Sequence, residues 1–116
     1  METTTKPAFY TLSWGTWGDY ISILHLPYTL WHLSYVVLGA AIAPVLHLDR
    51  LGWSVLAFFL ATGIGAHALD ELNGRPLRTR VSGRMLGAFA VLAIAGAIVL
   101  GVFFSVQESA WFFLFI

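Results

Sequence analysis

The sequence predicts an all-α integral membrane protein: a bundle of three transmembrane helices plus the start of a fourth, with an N-terminal interfacial amphipathic segment. Three observations lead there. Of the 116 residues, 59% are hydrophobic and only 10% are charged, against about a quarter charged in an average soluble domain. The mean hydropathy is +0.80, and a short chain has too little interior to hide that much apolar surface from water. The apolar residues also fall into three stretches, each close to the ~20 residues needed to cross about 30 Å of hydrocarbon.

Residues 1–26 read as a lead-in, polar and then aromatic. Trp14, Trp17 and Tyr20 lie three apart, interleaved with Gly15 and Gly18. This suits a segment at headgroup level, where rings are apolar and their N–H or O–H groups stay wet. The transmembrane helical domain then covers 27–116. Its first span is 27–48, opened by Pro27, whose missing N–H costs nothing at a helix start. Pro44 predicts a kink or an early finish. Asp49 and Arg50 mark a short turn, so the next span, 51–70, must lie beside the first. The loop 72–84 carries Asn73, Gly74, Pro76 and the arginines, and the third span is 85–106. After Gln107, Glu108 and Ser109 the chain turns apolar again over 110–116, too short a run to span. It reads as the start of a further helix in a longer protein, or as a short interfacial tail.

Charge sets the orientation and excludes some partners. The net charge is zero, so nothing supports nucleic acid as a partner. Four of the six Lys and Arg residues (Arg75, Arg78, Arg80 and Arg84) gather around one loop. By the positive-inside rule that loop and the N-terminus are cytoplasmic, in an inner cell membrane, with Asp49 and Arg50 outside. The absence of cysteine excludes disulfides and thiolate sites. No compact signal-peptide core, phosphate loop, dinucleotide fingerprint, zinc helix or nucleophile elbow is present.

Small residues recur at four-residue spacing: Gly39 and Ala43; Ala57, Ala61 and Gly65; Ala93, Ala97 and Gly101. Such ridges admit close backbone approach and predict a tight bundle.

Two polar groupings stand out. His25, Tyr28, Thr29, His32 and Tyr35 recur at three- and four-residue steps and so share a face of the first helix. They read as ligands for a metal or tetrapyrrole, as donors to a headgroup, or as interface and inter-helix bonding groups, with His32 the deepest. His67, Asp70 and Glu71, at i, i+3 and i+4, project from one side of the second helix. They could bind a divalent cation through carboxylate oxygens, with the imidazole assisting. The arginines beyond could hold a diphosphate in guanidinium forks. Equally, they are explained by topology, by pairing with the acids, and by anionic lipid.

The run Asp70-Glu71-Leu72-Asn73-Gly74-Arg75-Pro76-Leu77, followed by Arg78-Thr79-Arg80-Val81-Ser82, resembles the loop after the second helix of UbiA-type intramembrane prenyltransferases. In these, an aspartate-rich helix end leads into an Arg-Pro-Leu turn and a Ser opens the third helix. The order upstream is also similar, with an amphipathic lead and a Leu-Gly-Ala-Ala run at Leu38 to Ala41. The resemblance covers residues 20–105, with a divergent aspartate motif, Gly63-Ile64-Gly65-Ala66-His67-Ala68-Leu69-Asp70-Glu71. It implies the N-terminal portion of a helical bundle with a tunnel for an isoprenoid chain, or a non-catalytic relative. It further implies Mg²⁺-assisted ionisation of a polyprenyl diphosphate, with Asp70 on the magnesium side and Arg75 and Arg78 on the diphosphate; Arg80 joins them as a candidate contact. Enzymatic activity would belong to a longer chain, since three helices do not enclose a chamber.

A second expectation is non-enzymatic: an accessory transmembrane subunit of a larger respiratory or photosynthetic complex. Membrane lipid and other subunits would then be its partners, and His32 and His25 would contact pigment or quinone.

Overall fold

A proline sets the first bend. Pro27 cannot donate to the Ile23 carbonyl four residues back, and its ring crowds that carbonyl. In the computed structural model, which describes residues 15–107, helix α1 (Gly15–Ile23) ends there and α2 (Leu26–Ala41) begins with Pro27 in its first turn. His25 turns the chain between them in a left-handed conformation (φ 45°). Its carbonyl accepts from the N–H groups of both Tyr28 and Thr29, so the bend leaves few backbone groups open. The first rod is thus Trp17–Ala41: it starts about ten residues earlier than sequence spacing suggests, and it takes in part of the expected interfacial lead-in. Its far end obeys Pro44, with α2 finishing at Ala41 rather than near residue 48.

The second rod, Leu48–Gly74, consists of α3 (Leu48–Phe58), a π-helical segment (Phe59–Ala66) and α4 (His67–Gly74). The third is α5 (Gly83–Gln107). Ser82 prepares its start, with Oγ accepting the Met85 N–H at 3.3 Å and the carbonyl accepting from Leu86, a side-chain cap of the usual kind. The described residues form no strand. All three rods are long and apolar enough to cross a membrane. Only 22%, 17% and 17% of an 18-residue apolar stretch within each span is buried inside the molecule, so the apolar surface faces outward. The N-terminal part of the expected lead-in and the expected fourth helix, 110–116, lie outside the described residues.

The π-helical segment is the hub, packing on α5, α3, α4 and α2. Its glycines permit this. A Cβ on Gly65 would sit 2.7 Å from Ile94 Cγ1 of α5, and one on Gly63 would sit 3.0 Å from Thr29 Cγ2 of α2. Of the expected small-residue ridges, Gly65 and the buried Ala93 lie in such packing. A Cβ added to Gly39 or Gly101 would meet nothing within 4 Å. The core cluster of Ile23, Ala68, Val81, Leu86 and Ala90, flanked by Tyr20 and Phe89, lies where α1, α4 and α5 meet. The well-packed end of the molecule is therefore the end that carries the arginine loop, while residues 41–50 at the other end are all exposed.

Candidate functional site

At the loop end, Asp70 and Glu71 part company. Successive helical residues diverge by about 100°, so the two acids cannot share a face. Asp70 is exposed, whereas Glu71 is 0% exposed. The Glu71 carboxylate turns back under the following loop. Its Oε2 accepts the Leu77 N–H at 3.0 Å, and its Oε1 accepts both the N–H and the hydroxyl of Thr79 at 2.8 Å. Leu77 and Thr79 are buried with it. A buried carboxylate is costly unless hydrogen bonds satisfy it, and the loop supplies three.

The loop is correspondingly constrained. Pro76 disfavours helical geometry at Arg75, so α4 stops at Gly74 and Arg75 becomes left-handed (φ 50°), its N–H returning to the Glu71 carbonyl. Arg78 is left-handed as well (φ 54°), and its N–H bonds the Arg75 carbonyl. Each such conformation costs a non-glycine residue about 1–3 kcal/mol and persists only where surroundings impose it. Arg75 contributes to the imposing: its Nη1 donates to the Val81 carbonyl at 2.6 Å. On α1, Asp19 Oδ2 accepts the Arg80 N–H at 3.0 Å, tying the first rod to the loop. The side chains of Arg78 and Arg80 are exposed while that of Arg75 is half-buried. The three arginines expected to act alike are therefore differently employed.

The His67, Asp70, Glu71 triplet is likewise divided. His67 is buried among α2 and the π-helical segment. Its Nδ1 donates to the Gly63 carbonyl at 3.2 Å and lies 3.4 Å from Thr29 Oγ1. Thr29 Oγ1 in turn donates to the Leu24 carbonyl at the bend. His25 stacks on His67 with ring centroids 4.2 Å apart and planes 11° from parallel. Stacked rings aim their lone pairs along parallel planes rather than at a common point, so the pair is a buried polar node rather than a ready chelate. No group of three or more His, Cys, Asp or Glu side chains among the described residues is arranged to hold a metal ion. Of the triplet, Asp70 alone is exposed.

The expected single polar face on the first helix also divides. His25 and Thr29 are buried, while Tyr28, His32 and Tyr35 are exposed. His32 Nδ1 donates to the Tyr28 carbonyl at 2.8 Å, which leaves Nε2 as the outward-facing nitrogen. Beside it lies a groove of about 300 Å³ lined by His32, Tyr35, Val36, Gly39, Phe58 and Thr62.

Sequence spacing did not reveal the roles of Thr79, Leu77, Asp19 or Thr29. The one available signal was the adjacency of two acids on a helix, which obliges one of them to find partners away from the other's face. Comparison with protein-family models, curated proteins and solved structures finds no match.

Proposed function

We propose that this chain is an integral membrane protein of the UbiA type that handles the diphosphate of an isoprenoid substrate at its arginine-bearing end, either as the N-terminal part of a prenyltransferase or as a non-catalytic relative. The observation that carries this reading is the constrained loop that follows Asp70 at the end of α4, in which Arg78 and Arg80 are exposed, as Asp70 is. Guanidinium groups fit phosphate oxygens in a fixed fork. Mg²⁺ keeps several waters and takes one or two carboxylates together with substrate phosphates, so Asp70 is a sufficient protein ligand and Glu71 is not needed. The bound cation would neutralise charge on the diphosphate. The chain's own residues would hold and orient the headgroup, and the apolar exteriors of the rods suit a lipid chain and surrounding bilayer. The same reading puts the 72–84 loop on the cytoplasmic side of an inner membrane, by its arginines.

The test is Mg²⁺-dependent binding of farnesyl diphosphate to the full natural protein in lipid nanodiscs. A charge-assisted hydrogen bond contributes about 1.5–3 kcal/mol. Asp70→Asn combined with Arg78→Ala should therefore weaken binding by about tenfold or more while the helical spectrum is kept. Unchanged binding in the double variant removes the site assignment.

A second reading is favoured by His32. An imidazole whose Nδ1 donates to a backbone carbonyl has its tautomer fixed with Nε2 available as a ligand, the usual state of metal-binding histidines. An accessory subunit that holds a tetrapyrrole in the neighbouring groove would copurify from its native membrane with a visible absorption band, lost in His32→Ala. A colourless native protein argues against this role.

A further inference from the structure

We infer that Glu71 is a positioning residue: together with Arg75 it braces the loop so that Arg78 and Arg80 are presented as a preset anion-binding pair. The inference deepens the diphosphate reading and rests on it for its ligand. It divides the acids and arginines into two working groups. Glu71 is buried and Arg75 half-buried, and both side chains bond the loop itself, whereas Asp70, Arg78 and Arg80 are exposed.

Four loop groups have their positions fixed by two side chains: Leu77 N–H, Thr79 N–H and Thr79 O–H by Glu71, and the Val81 carbonyl by Arg75. The two ends of the set straddle Arg78 and Arg80. Arg78 stands between two residues clamped by the same carboxylate, and its left-handed backbone is a conformation the chain does not hold unaided. Arg80 stands between Thr79 and Val81, and its N–H is held by Asp19 of α1. Binding is strengthened when a loop is ordered before the ligand arrives, because the ordering cost is not charged to the complex.

Glu71→Gln is a sharp probe. The carboxylate presents an acceptor on both oxygens. An amide of the same shape presents an acceptor on one side and an N–H₂ donor on the other. Whichever way the amide is turned, a donor meets either the Leu77 N–H or the pair of donors from Thr79. Thr79→Ser keeps the hydroxyl bond, and Thr79→Val removes that bond alone with little change of shape.

The experiment uses the full natural protein in nanodiscs, with two readouts on each variant: amide hydrogen exchange at Leu77 and Thr79, and binding of farnesyl diphosphate with Mg²⁺. Glu71→Gln is expected to raise exchange at both amides and to weaken binding by about tenfold, with far-ultraviolet helicity unchanged. Thr79→Val should give a smaller loss in the same direction, and Thr79→Ser should restore the wild-type values. Unchanged exchange in Glu71→Gln overturns the brace. Increased exchange with unchanged binding overturns the positioning role while the diphosphate reading stands. A wild-type protein that does not bind the probe overturns the diphosphate reading and the positioning role with it, and the exchange data alone then decide whether the loop is braced.

Discussion

At the scale of single residues, Gly65 shows how little room the hub of the molecule leaves. A methyl group there would approach Ile94 Cγ1 to 2.7 Å and the Leu60 carbonyl oxygen to 3.2 Å, and a backbone oxygen yields less readily than a side chain. Overpacking of this kind costs about 1–3 kcal/mol. Gly65→Ala should therefore lower the denaturation midpoint in detergent, and adding Ile94→Ala should recover part of the loss. Gly39→Ala, where nothing lies within 4 Å, should be neutral or slightly stabilising, since alanine favours helix over glycine by about 1 kcal/mol. Equal effects at the two sites would mean that the π-helical segment and α5 do not approach as closely as described. Both glycines belong to the same kind of sequence pattern, so their different weight comes from packing alone.

At the scale of elements, what was legible followed from composition and covalent constraint. Three apolar stretches of spanning length became three rods, and Pro44 acted where its chemistry says it must. Pro27 is the instructive case. Read as a helix start, it is correct for α2. The same missing N–H that permits a start also terminates whatever helix precedes it, and α1 runs up to it through residues whose aromatic and glycine content suggested an interfacial segment instead. Side-chain partnerships were not legible. Glu71 finds its donors six and eight residues downstream, across a loop whose path depends on two left-handed residues that are not glycines. His67 meets Thr29 from another rod, 38 positions away. Periodicity gives the direction in which a side chain leaves its own helix, but nothing about what another element has placed there. That is why the triplet of His67, Asp70 and Glu71 looked like one site and is three environments.

At the scale of the whole molecule, order and charge are concentrated at the same end. The core cluster, the Glu71 brace and the Asp19–Arg80 tie all sit beside the arginine loop, and the α2–α3 turn at the opposite end is exposed throughout. The proposed orientation can be checked because the chain has no cysteine. Single cysteines replacing the exposed Asn73 and His47 should react with a membrane-impermeant maleimide from opposite sides, Asn73→Cys only from the cytoplasm and His47→Cys only from outside. The reverse pattern would overturn the orientation, and labelling of both from one side would overturn the three-span arrangement. The π-helical segment has a consequence at this scale. Its wider winding acts as a phase slip in the second rod, so a stripe drawn along α3 does not continue along α4 at the same azimuth. Both halves of the second rod pack on the same two neighbouring rods, α3 on α2 and α5 and α4 on α1 and α5, so each half turns a different stripe of its own surface to them. Removing the slip would unscrew the charged end from its partners while leaving the opposite end in register.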